Sequence, residues 1–278
     1  MKCPNCSEEV RPYERHCVAC ETDCGYPNVR AAEQDDERQA LTRRVAGAES
    51  QAGKNGTVPL LAKLRAASRR SRAVRVRSLD EVYSLVKGDD KLLGTFYDLK
   101  GAGLLRPSVT DVEAARQSAE PLVFLNYQDK IQFAALTLDE AGLFTYGDCA
   151  MFFEEAKIAN RATVFEENCV FFCQRHEVGP ARPNIPPGYR ATWAQREELV
   201  VAKLGPRLLA HMQESDFPSI LMSSGSDPSK DEFIEVHIYG RLHRSVLDYI
   251  VLRPKRKGYM AFVRGMKACL GDVRVKVL

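Results

Sequence analysis

Two Cys-x-x-Cys pairs near the start of the chain, Cys3-Pro4-Asn5-Cys6 and Cys17-Val18-Ala19-Cys20, restrict its fold more than any other feature. A two-residue spacing turns both thiolates of a pair toward one point, and two such pairs close a tetrahedron around Zn2+. With Cys3, Cys6, Cys17 and Cys20 as ligands no coordination position stays open. The metal is therefore expected to hold a fold and not to catalyse, and residues 1–28 read as a zinc ribbon. His16 and Cys24 are close enough in sequence to replace a ligand. A redox dithiol would need only one of the pairs. The chain has nine cysteines, an odd number, and Cys149, Cys169, Cys173 and Cys269 lie among apolar neighbours as small buried hydrophobes, which suits a reducing compartment. Met1-Lys2-Cys3-Pro4 lacks the apolar core of a signal peptide, and no apolar run reaches the length of a membrane span. A cytoplasmic protein with no membrane contact is expected.

After the ribbon, residues 29–51 are rich in Ala, Glu, Gln and Arg and read as a polar helix or semi-rigid spacer. Residues 58–77 then carry Lys63, Arg65, Arg69, Arg70, Arg72, Arg75 and Arg77 with no acid. The net charge is only +3, so this clustering says more than the total. Without interleaved aromatics such a run reads as a solvated face or linker, although its sign suits a polyanion such as nucleic acid. Residues 29–77 are accordingly taken as a polar helix and basic connector. A second basic stretch holds Arg253, Lys255, Arg256 and Lys257.

The main domain is expected over residues 78–278. Ser78-Leu79-Asp80-Glu81 has capping-box spacing and opens a helix through Lys87; Thr110-Asp111-Val112-Glu113 repeats the signal for a helix through about Ser118. Short apolar runs predict strands at residues 149–153 and 162–172, and the runs at 121–126 and 131–138 predict a hairpin or a strand and turn. Residues 189–204 predict a helix with Trp193, Leu199, Val200 and Leu204 on its buried stripe.

The stretch with the most chemistry is Asp231-Glu232-Phe233-Ile234-Glu235-Val236-His237-Ile238-Tyr239-Gly240, after a loop containing Ser223-Ser224-Gly225-Ser226. On a strand, Glu235, His237 and Tyr239 share one face, and Ile234, Val236 and Ile238 the other. This segment resembles the strand that carries the catalytic glutamate in ADP-ribosyltransferases, loosely the DarT-type branch that modifies nucleic acid. The resemblance implies that Glu235 stabilises the positive charge developing on the ribose of NAD as nicotinamide leaves, with His237 and Tyr239 holding or stacking the substrate. By their own chemistry Arg161 and Asn168 suit either a structural hydrogen-bond hub in the sheet or contacts to a diphosphate or an amide such as that of nicotinamide, and Tyr146, next to Gly147, either stacks on the nicotinamide ring or belongs to the core. From the resemblance a toxin or defence enzyme acting on nucleic acid would follow, with room for a neutralising partner protein. The architecture expected is α+β: a mixed, mainly antiparallel split sheet with helices, preceded by the zinc ribbon. Two other readings stand beside it. One is a metal-dependent nuclease with Asp231, Glu235 and His237 around Mg2+ or Mn2+. The other is a non-catalytic zinc-ribbon protein that binds nucleic acid or serves as a scaffold.

Overall fold

A computed structural model describes residues 1–101, 110–253 and 258–278. The expected Lys255, Arg256 and Lys257 cluster lies outside the described residues, as do the side chains of the expected capping box at 110–113.

The ribbon leads into α1 (Pro27–Ala32), with Pro27 at its first position where no backbone donor is needed. Helix α2 (Asp35–Asn55) begins with Asp35, Asp36 and Glu37 at the positive end of its dipole and stops at Gly56, whose φ of 67° suits glycine. Helix α3 (Val58–Ser68) follows. These helices are no spacer. The polar α2 buries Leu41 together with Ala48 and Ala52, whose small side chains allow close packing, and α3 buries Leu61 and Leu64 in the same core.

Strand β1 (Arg72–Arg77) corrects the expected domain plan, because the end of the connector is a central strand of the sheet. Next come α4 (Leu79–Lys87), β2 (Leu92–Leu93) and α5 (Phe96–Gly101). The Ser78 and Glu81 capping box forms as expected, and Leu79, Val82, Leu85 and Val86 make the buried face of α4. Helix α6 (Thr110–Phe124) runs through Pro121 and ends where Leu125 and Asn126 take positive φ, so residues 121–126 are not a strand and the expected hairpin does not form.

Strands β3 (Ile131–Thr137) and β4 (Cys149–Phe153) precede α7 (Glu155–Ile158) and β5 (Ala162–Phe165). The apolar run after β5 turns into α8 (Cys169–Arg175), whose N-cap is Asn168; its Oδ1 accepts from Val170 N at 3.0 Å. Then follow β6 (Arg190–Thr192), α9 (Arg196–Leu204), α10 (Phe217–Leu221), β7 (Glu235–Tyr239), β8 (Leu242–His243), β9 (Leu247–Leu252), α11 (Met260–Leu270) and β10 (Val275–Val277).

Eight strands form one sheet in the order β10-β9-β4-β1-β3-β7-β5-β6, antiparallel except for β9 beside β10, and β2 pairs with β8 separately. The fold is mixed α+β, as expected. One face packs Ala73, Leu136, Met151, Val164, Val236 and Ile250 against α2, α3, α4, α9 and α11 in a single core. The opposite face carries two smaller clusters, one around α6 and α8 and one around Leu143, Phe144 and Phe233.

The register explains the gap between those two clusters. Strand β1 pairs with β3 only at Arg72↔Thr137, Ala73↔Leu136 and Val74↔Ala135, then continues along β4, while β3 continues along β7 from Ala135 to Ile131. The sheet thus parts between residues 75–77 and 131–134. A parted sheet leaves space that side chains must fill or a ligand can enter.

Candidate functional site

The four cysteines expected as ligands converge. The Sγ atoms of Cys3, Cys6, Cys17 and Cys20 all lie within 4.8 Å of one another, with Cys3 to Cys20 at 3.6 Å and Cys6 to Cys17 at 3.5 Å. Four thiolates about 2.3 Å from a tetrahedral zinc would lie about 3.8 Å apart, so the set fits. The local cause is a repeated turn. In each knuckle the residue after the second cysteine, Ser7 or Glu21, has positive φ, and its N–H bonds back to the first cysteine's carbonyl. A hydrogen bond with Thr22 pulls the Cys20 thiol down to about 5. Cys24 instead bonds the Thr22 carbonyl at 3.4 Å, and His16 pairs through its backbone with Asp23; neither belongs to the cluster. All nine cysteines are free of disulfides.

The ribbon docks on its own chain. Arg30 of α1 donates to the carbonyls of Pro12 (3.0 Å), Glu14 (2.6 Å), Arg11 (3.3 Å) and Cys24 (3.4 Å). Arg15 lies 4.3 Å over the Tyr26 ring, and Tyr26 packs on Tyr239. Asn28 completes the join, its Nδ2 donating to the carbonyls of Arg161 (3.0 Å) and His237 (3.1 Å).

The part in the sheet holds a cavity of about 110 Å3, open at its mouth. Its lining includes Glu235 of β7, Phe133 of β3, Arg75 and Arg77 of β1, Asn168 and Cys169 at the start of α8, Tyr146 and Leu143 of the loop before β4, and Arg116 and Glu120 of α6. Glu235 is 4% exposed, so it is not the surface carboxylate of an ordinary half-buried strand. Its Oε2 accepts from His237 Nε2 at 2.9 Å and from the Cys169 N–H at 3.2 Å.

The arginines set the electrostatics. Arg75 is 5% exposed and bonds Gln132 across the gap, and Arg77 lies alongside; the Nε atoms of both are buried without a hydrogen-bond partner. Among the described residues neither makes an ion pair, whereas Arg116 is paired with Glu120 at 2.6 Å. Burial disfavours the charge of both, pushing Arg75 well below and Arg77 below the usual guanidinium range. Burial also pushes the Glu120 carboxyl up, against the pull of Arg116. Unpaired buried charge is costly, and an anion entering the cavity would offset that cost. Arg75→Met should therefore weaken any anion held in the cavity, while relief of the buried charge and loss of the bond to Gln132 offset each other and leave stability in urea unfolding within about 1 kcal/mol of the parent.

The loop before β4 supplies part of the wall. Gly142 lies flat against Val76, and a Cβ on Gly147 would be driven into the Arg77 carbonyl, so this glycine lets Tyr146 stand at the mouth. Asp231 secures the loop, accepting from Thr145 Oγ1 at 2.6 Å and from Gly225 N at 2.8 Å. Gly147→Ala should destabilise the fold by roughly 2–3 kcal/mol through backbone displacement, read as a lower urea midpoint.

Of the residues expected to act together, Glu235, Tyr146 and Asn168 meet at this cavity. His237 touches it only through Glu235, its ring enclosed by Phe124, Phe133 and Phe165. Tyr239 faces Tyr26 and Tyr127, and Arg161 bonds the Tyr239 carbonyl at 3.0 Å; neither lines the cavity. The expected nuclease cage does not assemble either, since among the described residues only the four cysteines cluster as metal ligands. Arg75, Arg77, Arg116 and Glu120 were not singled out as site residues in the sequence. Alternation in Arg72-Ala73-Val74-Arg75-Val76-Arg77 was the available signal for a strand there.

This is an α+β protein whose N-terminal four-cysteine ribbon can hold a metal ion, and in whose parted sheet one cavity is lined by a carboxylate and by arginines that make no ion pair among the described residues. Compared with known proteins, the chain matches no family model and no curated sequence. No described helix is long and apolar enough to cross a membrane.

Proposed function

We propose that this protein is an ADP-ribosyltransferase that takes ADP-ribose from NAD and places it on a macromolecular acceptor. The observation that carries the reading is the presence, in one cavity, of the held carboxylate of Glu235 and of buried Arg75 and half-buried Arg77, which have no acidic partner among the described residues. NAD offers both complements. Its diphosphate is an anion for Arg75 and Arg77, and its nicotinamide ribose becomes cationic as the C–N bond breaks. The side of Glu235 turned away from His237 is the natural counter-charge for that cation.

Tyr146 at the mouth supplies a ring for stacking. The carbonyl oxygen of Asn168 is used in capping α8, which leaves its amino group to donate to an amide such as that of nicotinamide. The cavity suits the reacting end of the dinucleotide, with the remainder at the open mouth. Zinc in the ribbon would be structural, and nine reduced thiols suit the cytoplasm.

Nucleic acid remains the acceptor proposed, though much of the basic run is engaged within the chain: Lys63 with Glu214, Arg65 with Glu49, Arg69 with Glu197 and Arg72 with Asp248. The test is to incubate the protein with adenylate-labelled NAD and DNA, RNA or cell lysate. Label on one class of acceptor supports the reading and names the acceptor; intact NAD in every mixture refutes it.

A further inference from the structure

We propose that His237 is a positioning residue that fixes the Glu235 carboxylate and does not itself touch substrate; this rests on the reading of Glu235 given above. Glu235 and His237 are neighbours on one face of β7, as strand periodicity requires. That proximity alone would allow both to face a ligand, but the environment separates their roles. The imidazole is 3% exposed and is enclosed by rings, with centroids 4.7 Å from Phe124 and 5.5 Å from both Phe165 and Phe133, the last of which stands between it and the cavity it lines. Its polar contact on the cavity side is the Glu235 carboxylate, at 2.9 Å.

A carboxylate oxygen accepts, so Nε2 carries a proton and donates it. The same oxygen, Oε2, also accepts from the Cys169 N–H at the first turn of α8, a helix start already capped by Asn168. Two donors from two different elements therefore hold one oxygen. A carboxylate gripped at one oxygen cannot rotate freely about its last torsion, and Oε1 is left as the oxygen offered to the cavity. Orientation of this kind matters because displacement of a reacting group by about 1 Å can cost on the order of a hundredfold in rate.

The backbone of His237 is held as well. Its carbonyl accepts from Asn28 at 3.1 Å, so the strand that presents the pair is braced from α1 on the ribbon side. Glutamine can reach with an N–H donor from the same position, whereas phenylalanine would suit the aromatic enclosure and donate nothing.

The experiment compares His237→Gln and His237→Phe with the parent protein by NAD turnover and by nitrogen NMR of the histidine ring. Positioning predicts that His237→Phe lowers kcat about tenfold to a hundredfold with the KM for NAD within about twofold, and that His237→Gln recovers most of the loss. Thermal unfolding of both variants separates misfolding from this effect. In the parent protein the ring should be the Nε2–H tautomer, and its signal should move in Glu235→Gln. A large rise in KM with kcat unchanged in both variants would mean that the ring binds substrate, and would overturn the proposal. A ring without a proton on Nε2 would also overturn it, whether or not NAD is consumed. Absence of turnover with the expected tautomer and shift would leave the hydrogen bond in place and refute the transferase reading instead.

Discussion

Glu235→Gln is expected to lower NAD turnover about a thousandfold while leaving the unfolding midpoint within about 2 °C, a loss of about 4 kcal/mol of transition-state stabilisation. The substitution preserves shape, and the geometry dictates how the amide must sit. His237 Nε2 and the Cys169 N–H both donate to one oxygen, so glutamine has to keep its carbonyl there. Its amino group then takes the Oε1 position facing the cavity. A negatively charged acceptor becomes a neutral donor with its dipole reversed toward the cationic ribose. Binding of NAD should change little, because the unpaired arginines still meet the diphosphate. The effect should therefore fall on kcat, measured with saturating NAD. Turnover within threefold of the parent would remove Glu235 from the chemistry and return the cavity to the status of an anion-binding site.

The second large effect is expected from removal of the metal. Beyond its cysteines the ribbon core contains only Val10. That is little apolar surface for a segment of this size, and a metal ion held by the four cysteines would supply the missing folding free energy, for which about 10 kcal/mol is available in zinc-finger peptides. Cys17→Ser, at a buried ligand, or treatment with a strong chelator should unfold residues 1–28. The bonds from Arg30 to four ribbon carbonyls and the packing of Arg15 on Tyr26 would be lost together. Limited proteolysis should then cut first within the ribbon, and Tm should fall by roughly 5 °C or more. One equivalent of zinc by elemental analysis, absent from the variant, completes the test. An unchanged proteolysis pattern after verified metal loss would show that docking alone orders the segment.

What could be read from residue order was what depends on near neighbours. The knuckles at Cys3 and Cys17, the capping box at Ser78 and Glu81, and the two-residue alternation around Glu235 are set by short-range geometry, and each appears where expected. The strand expected at residues 121–126 failed because that short apolar run is the end of α6, which passes through Pro121, and apolar character alone does not tell a strand from a buried helix segment. The strand expected over residues 162–172 stopped early because Asn168, a strong cap residue, starts a helix within an apolar run that periodicity could not divide. Arg75 and Arg77 were hardest to place. Charged side chains inside a central strand contradict ordinary burial preferences. Their surroundings come from Gln132, the loop around Gly147 and a parted register, all far away in the sequence. Tyr239 and Arg161 had the right chemistry on paper, but the docked ribbon and α1 occupy their side of the strand.

Small metal-bound ribbons are natural cassettes for gene shuffling, since most of their folding information is local. Here the joints resist that traffic. A recombination breakpoint just after residue 28 would pair one lineage's ribbon with another's α1, and Arg30 would face foreign loop carbonyls. A breakpoint just after residue 77 would be worse, because it would exchange β1, the strand on which both halves of the sheet converge. Inheritance of this architecture is therefore close to all or nothing: the ribbon, the helices that follow it and the sheet must change together or be replaced as a whole.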